Sequence, residues 1–151
     1  AFAYNMILVP VHTPPLDTAV GTRRTCVQLV DIEKKGEKYF RDAESRVIGK
    51  ISEENGLIIA TGGGSILRQE NVEDLNKNSV IFFIDRSPEN LMPTGDRPLA
   101  SSFEAIKKRY DERYETYCRT AHIRIDGDHR TPEEVADLIA EEFLKYENIC
   151  N

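Results

Sequence analysis

The sequence predicts an α/β fold of three layers, with helices on both faces of a mostly parallel sheet, and three observations carry that prediction. Short apolar runs at 5–9 ("NMILV"), 57–61 ("LIIAT") and 80–85 ("VIFFID") lack polar alternation, the pattern of strands buried on both faces. Segments of helical period lie between and after these runs. Strands alternating with helices build parallel sheets, and such sheets bind ligands at the carboxyl ends of their strands.

A chain of 151 residues is long enough for one domain that buries about two-thirds of its unfolded surface, so a single domain spanning 1–151 is expected. The balance of 40% apolar to 30% charged residues is that of a packed globular protein and excludes a disordered or collagen-like chain. A net charge of −6 argues against a nucleic-acid partner and leaves any anion chemistry to local clusters of Lys and Arg. Cys26, Cys118 and Cys150 are widely spaced and form no C-x-x-C pair, which supports neither a disulfide framework nor a zinc site. No apolar run approaches the ~18 residues of a membrane span. A cytoplasmic protein without a membrane partner, monomeric or weakly oligomeric, is the expectation.

Along the chain, "NMILV" is the first strand, and "PVHTPPLDTAVGTRRTCVQLVD" follows it. Pro10, Pro14 and Pro15 each lack an N–H, which suits this segment poorly to a cradle of backbone amides. Arg23 and Arg24 bring charge but no row of oriented donors. Asp31 precedes "EKKGEKYF", where an acid favours a helix start. A helix is expected over 36–55, with Phe40, Ala43, Val47 and Ile51 on one face and Asn55–Gly56 as its stop.

"LIIAT" then runs into Gly62, Gly63 and Gly64. Three glycines after a buried strand allow positive φ and leave backbone N–H groups open to an anion or a small polar ring; a tight turn with close strand–helix packing would explain one or two of them. "VIFFID" is the third strand, and Asp85 at its end either starts a turn or faces a nucleotide. The stretch 88–102 has no period and reads as a lid loop. The helix expected over 101–118 carries Phe103, Ile106, Tyr110 and Tyr117, with Arg109 and Arg113 one turn apart. "HIRID" at 122–126 is more polar and belongs nearer a sheet edge. In "TPEEVADLIAEEFLKY", Thr131 is the N-cap, Pro132 the first helical residue and Glu134 the other half of a capping box, ahead of Val135, Leu138, Ile139 and Phe143.

Arg41 and Arg113 both adjoin aromatic residues that can hold their stems, and a planar guanidinium is the usual bidentate partner of a carboxylate or phosphate. Two such forks converging on a glycine loop make a site for a small acid. His12, His122 and His129 share no metal-ligand spacing, and Glu133, Glu134, Glu141 and Glu142 read as a solvated face.

"GEKYFRDAES", "IIATGGGSILRQEN", "VIFFIDRSPENL", "DRPLA", "RYDERYETY" and "HRTPEEVADLI" occur in the order and approximate spacing of the shikimate kinases, and the chain resembles that family over about 36–144, with 1–35 atypical. The resemblance implies a three-layer α/β phosphotransferase that uses ATP and Mg2+ to phosphorylate the 3-hydroxyl of shikimate in aromatic amino-acid biosynthesis. It implies that Arg41 and Arg113 grip the shikimate carboxylate, that Gly62, Gly63 and Gly64 meet the ring hydroxyls and the γ-phosphate, and that Asp31 stands for the family's substrate-binding Asp. It further implies that Arg97 reaches over the ATP phosphates and that Arg130 lies beside the adenine. The family's phosphate cradle, G-x-x-x-x-G-K-[ST] directly after the first strand, does not occur in this sequence. The competing expectation is therefore a catalytically silent domain that keeps the small-acid pocket and lacks a competent cradle.

Overall fold

A computed structural model describes residues 6–10, 29–91 and 103–150. The elements run β1 (Met6–Pro10), α1 (Leu29–Ile51), β2 (Ile59–Thr61), α2 (Gln69–Asn76), β3 (Ser79–Asp85), α3 (Phe103–Thr120), β4 (Ile123–Asp126) and α4 (Pro132–Cys150), with 3-10 turns at Ser65–Leu67 and Pro88–Asn90. The strands form one sheet in the order β2-β1-β3-β4.

β3 is the centre of the core. Its successive side chains point to opposite faces, as the two-residue period of a strand requires. Ile81 and Phe83 join Ile48 of α1, Val72 and Leu75 of α2 and Tyr117 of α3 on one face. Val80, Phe82 and Ile84 join Ile125 of β4 with Ile139 and Phe143 of α4 on the other. Helices thus cover both faces, and the three layers expected from the sequence are present. At roughly 25 cal/mol per Å2, each fully buried Phe or Ile of β3 contributes about 1.5–3 kcal/mol.

Three of the four strands point the same way: β3 and β4 pair in parallel, and β2 shares their direction. β1 lies between β2 and β3 and runs against both, with Met6 opposite Thr61 and Phe83. Uninterrupted apolarity reports burial and carries no information on direction, which is why the reversal of β1 is invisible in the pattern. As a result the chain leaves β1 at Pro10, beside Ser79, at the end of the sheet opposite the carboxyl ends of β2, β3 and β4.

Other differences have local causes. β2 is an edge strand rather than a doubly buried one, so Ala60 is exposed and Ile58 before it is 59% exposed. α1 begins seven residues before Gly36 and is broken there by that glycine's φ of 82° and ψ of 165°, a conformation open to a residue without Cβ. It ends at Ile51, and the Asn55–Gly56 stop belongs to the turn beyond, where Gly56 has a φ of 71°. Phe103, expected on the apolar face of α3, is exposed. The capping box of α4 forms as expected, with the Thr131 N–H donating to Glu134 Oε2 at 2.7 Å and the Glu134 N–H to Thr131 Oγ1 at 3.2 Å. α2 has no counterpart in the sequence reading, because eight residues with only Val72 and Leu75 as large apolar groups show too little periodicity.

His122 extends the pairing of β3 with β4 beyond the strands: its N–H donates to the Ile81 carbonyl at 2.9 Å, and its Nδ1 accepts the Ile81 N–H at 3.0 Å. Partial burial lowers the imidazole pKa below the ordinary 6.5. Protonation would both charge a partly desolvated ring and remove the acceptor. The unfolded chain therefore binds this proton more readily, and stability is lost as the pH falls through 6.5 toward the lowered native value. In urea unfolding followed from pH 7.5 to pH 5, the His122→Asn chain, whose amide oxygen can replace Nδ1 without titrating, is expected to show a shallower loss of midpoint than the parent.

Candidate functional site

The glycine run leaves the carboxyl end of β2 and enters the 3-10 turn Ser65–Leu67. Positive φ is not what these glycines supply: Gly36 and Gly56 are the glycines with positive φ among the described residues, and Gly64 sits at φ −89° and ψ −13°, a region open to any residue. Space is what Gly64 supplies. A Cβ there would lie 2.5 Å from Arg41 Nη2, 2.6 Å from Nη1 and 2.8 Å from Cζ, so the guanidinium of Arg41 occupies the volume of the missing side chain. At Gly62 a Cβ would meet nothing within 4 Å, and the residue is exposed. One glycine of the run is thus filled by the protein itself, while another opens on free space.

Arg41 comes from the middle of α1 and is held on three sides. Nη1 donates to Glu44 Oε2 at 2.7 Å, Glu37 Oε1 lies 3.7 Å from Nη2, and Cζ stands 5.2 Å from the centroid of the Phe40 ring. Glu44 is well covered, its side chain only 13% exposed, and its other oxygen accepts from the buried Ser65 hydroxyl at 2.7 Å. A single carboxylate therefore ties Arg41 to the turn that follows the glycines.

Tyr117 fixes the opposite side. It is 1% exposed, stacks on Phe83 with centroids 5.1 Å apart, and donates its hydroxyl proton to the Gly63 carbonyl at 2.7 Å. Burial raises the pKa of this phenol, opposed by a hydrogen bond from Arg113 and by the charges of Arg113 and Arg41. Arg41 against Gly64 and the Tyr117 bond to Gly63 thus bring α1 and α3 to the same glycine run, with Arg113 one turn before Tyr117 on α3.

The remaining predicted residues are placed differently. Asp31 lies in α1 before the break at Gly36, and its side chain lies outside the described residues. Arg97 and most of the expected lid lie outside the described residues. Arg130 is exposed in the loop between β4 and α4, where Nε donates to the Asp126 carbonyl at 3.0 Å. It borders a cleft of about 130 Å3 with an apolar lining that includes Ile84, Val135 and Ile139. Asp85 faces α3 rather than a turn or an open site: its carboxylate accepts from the Tyr110 and Tyr114 hydroxyls at 3.2 Å each, and Arg124 Nε is 3.5 Å away. Among the described residues no group of three His, Cys, Asp or Glu is placed to hold a metal ion, and no helix is long and apolar enough to cross a membrane.

Glu44, Ser65 and Tyr117 were not singled out from the sequence as site residues. The spacing signals exist, since Glu44 lies three residues after Arg41 and Tyr117 four after Arg113, each on the same helix face as its arginine. Ser65 had no signal beyond its position after the glycines.

A three-layer α/β sheet with a glycine loop at the carboxyl end of a strand is the architecture of proteins that bind ligands at that edge. The sequence profile of the shikimate kinase family matches residues 19–144. The chain is 37% identical over 119 residues to the shikimate kinase of Caldanaerobacter subterraneus subsp. tengcongensis, covering 75% of this chain and 70% of the relative. It is 37% identical over 134 residues to that of Thermodesulfovibrio yellowstonii, covering 83% and 77% respectively. The shikimate kinase from Acinetobacter baumannii in complex with shikimate superposes with a TM-score of 0.71 at 26% identity, over 78% of this chain and 69% of that one. The chain belongs to the shikimate kinase family, a family of ATP-using phosphotransferases. These comparisons lend no support to a catalytically silent domain.

Because Gly64 has a backbone conformation open to alanine but no room for a Cβ, Gly64→Ala is expected to push Arg41 off Glu44 and cost about 1 kcal/mol of stability. Gly62→Ala, which meets nothing, is expected to be neutral or to stabilise by roughly 0.5 kcal/mol through the unfolded chain. Denaturant midpoints of the two variants measure the difference.

Proposed function

We propose that this protein transfers the γ-phosphate of ATP to the 3-hydroxyl of shikimate. In that reaction the 3-oxygen forms a bond to phosphorus, the bond from phosphorus to the ADP oxygen breaks, and the hydroxyl proton is released. The observation that carries the reading is that Arg41 fills the space at Gly64 while Tyr117, one turn after Arg113 on α3, donates to the Gly63 carbonyl. Two guanidinium forks at a glycine floor suit a small ring bearing one carboxylate and several hydroxyls better than they suit a nucleobase. The complex of the Acinetobacter baumannii shikimate kinase with shikimate supports the same acceptor.

In this reading Arg41 and Arg113 clamp the carboxylate and orient the ring. The space open at Gly62 admits the hydroxyl-bearing edge against the backbone. ATP supplies the transferable phosphoryl group, and its base lies along the apolar cleft beside Arg130, whose lining suits the faces of a planar ring. Arg97 supplies a further cation over the phosphates. Phosphoryl transfer depends chiefly on positioning and on neutralising charge, which fixed arginines provide without forming a covalent bond.

Calorimetric titration with shikimate and with magnesium-ATP, joined to a coupled assay of ADP release, tests this directly. The parent chain is expected to bind both ligands and release ADP only when both are present. Arg113→Ala is expected to weaken shikimate binding by roughly 2–5 kcal/mol while nucleotide affinity stays unchanged. Unaltered shikimate affinity in that variant would remove Arg113 from the acceptor site, and shikimate binding without ADP release in the parent would contradict the kinase reading.

A further inference from the structure

Asn71, in the first turn of α2, is a polar side chain of the core that no step of the proposed reaction uses. Its Nδ2 donates to the Ser65 carbonyl at 2.7 Å. Its Oδ1 is buried as well and has no hydrogen-bond partner among the described residues. A buried acceptor left unpaired costs free energy, so the amide carries a penalty that a leucine of the same branching would not. What the amide adds is the bond to Ser65.

That bond starts a chain that ends on Arg41. Asn71 holds the Ser65 carbonyl, and the Ser65 N–H donates to the Gly62 carbonyl at 3.0 Å, so both backbone groups of the residue are fixed. The direction of its Cβ is fixed with them, and its hydroxyl donates to Glu44 Oε1 at 2.7 Å. The other oxygen of Glu44 accepts from Arg41 Nη1 at 2.7 Å. Exposure rises along the chain from 0% at Asn71 and 1% at Ser65 to 13% and 21% for the side chains of Glu44 and Arg41. Hydrogen bonds so shielded from water are strong and polarise one another. The starting point is equally firm: Val72 and Leu75, on the same short helix, pack in the core with Ile81 and Phe83.

We infer that Asn71 is a positioning residue for Arg41, acting through Ser65 and Glu44 to aim the guanidinium at the acid. This inference rests on the reading of Arg41 as a grip on the shikimate carboxylate. Without the bond from Asn71, the turn that carries Ser65 loosens, Glu44 loses a fixed donor, and Arg41 has to be ordered when the acid binds. Glu37 and the Phe40 ring still flank Arg41, so the loss is partial. The effect is confined to the acceptor, whereas a role in holding the fold alone would lower stability and weaken both ligands together.

The test uses the full chain, its Asn71→Leu and Ser65→Ala variants and the double variant, each titrated with shikimate and with magnesium-ATP. Asn71→Leu removes the unpaired Oδ1 but leaves the Ser65 carbonyl without its donor, so its urea midpoint is expected to stay near the parent's. Shikimate binding is expected to weaken about threefold to tenfold, the range of one net hydrogen bond, with ATP affinity as in the parent. Ser65→Ala is expected to weaken shikimate binding by a similar factor. The double variant is expected to lose no more than Ser65→Ala alone, because the two residues act in series. Shikimate affinity in Asn71→Leu equal to the parent's would overturn the assignment and leave the kinase reading intact, as would losses that multiply in the double variant or an equal fall in ATP affinity. Should Asn71→Leu fail to fold, Asn71→Ala takes its place in the same cycle, and undiminished shikimate binding in Ser65→Ala overturns the assignment on its own. A parent that does not bind shikimate would sink the reading of Arg41 itself, and the Asn71 assignment with it.

Discussion

The hydrogen bond from the Tyr117 phenol to the Gly63 carbonyl joins the core to the glycine run, and the geometry of that run depends on it. Tyr117 belongs to the same buried cluster as Phe83, Ile81 and Leu75, so its ring is located by packing and not by the loop it contacts. A buried phenol needs a partner for its hydroxyl, and the Gly63 carbonyl provides one. The glycine run is thereby anchored to α3 as well as to β2. Arg113, one helical turn before Tyr117, inherits its place from the same helix, and Arg41 fits into the volume that Gly64 leaves open. Disturbing the core near Phe83 would move the two arginines relative to each other without touching either.

Arg41 is held within a shell of acids in a net-acidic protein. Its fork already has Glu44 at 2.7 Å and Glu37 at 3.7 Å. Glu44, also bonded to Ser65, orients the guanidinium and leaves other N–H donors for a ligand, since a guanidinium carries five. Preorganisation of this kind lowers the ordering cost of binding, because the long side chain no longer has to give up rotamer freedom when the ligand arrives. The same pairing limits the attraction of stray anions, as the site's positive charge is partly neutralised before any substrate enters.

The layer arrangement and the helices α3 and α4 were legible in the sequence because each rests on a local rule: period or capping chemistry. Thr131 and Glu134 form the capping box their spacing implies. Three features were not legible for physical reasons. The direction of β1 is set by pairing with strands about fifty and seventy residues away, and apolarity does not encode it. The packing of Arg41 into the space at Gly64 could not be read, because the two residues are far apart in sequence and near only in the fold. Asn71 carried no signal, since an asparagine in a short polar helix is ordinarily solvated and only the fold shows its side chain buried against Ser65.

The shared direction of β2, β3 and β4 explains how one edge of the sheet serves both halves of a phosphoryl transfer. The glycine run follows β2, Arg86 follows β3, and the loop of Gly127 and Arg130 follows β4, so all three leave the same end of the sheet. The two halves are nonetheless built differently. The glycine run is pinned by buried side chains, Tyr117 and Ser65 among them. The loops after β3 and β4 are joined instead by hydrogen bonds between polar groups at the surface, and connections of that kind open at lower free energy than a packed core.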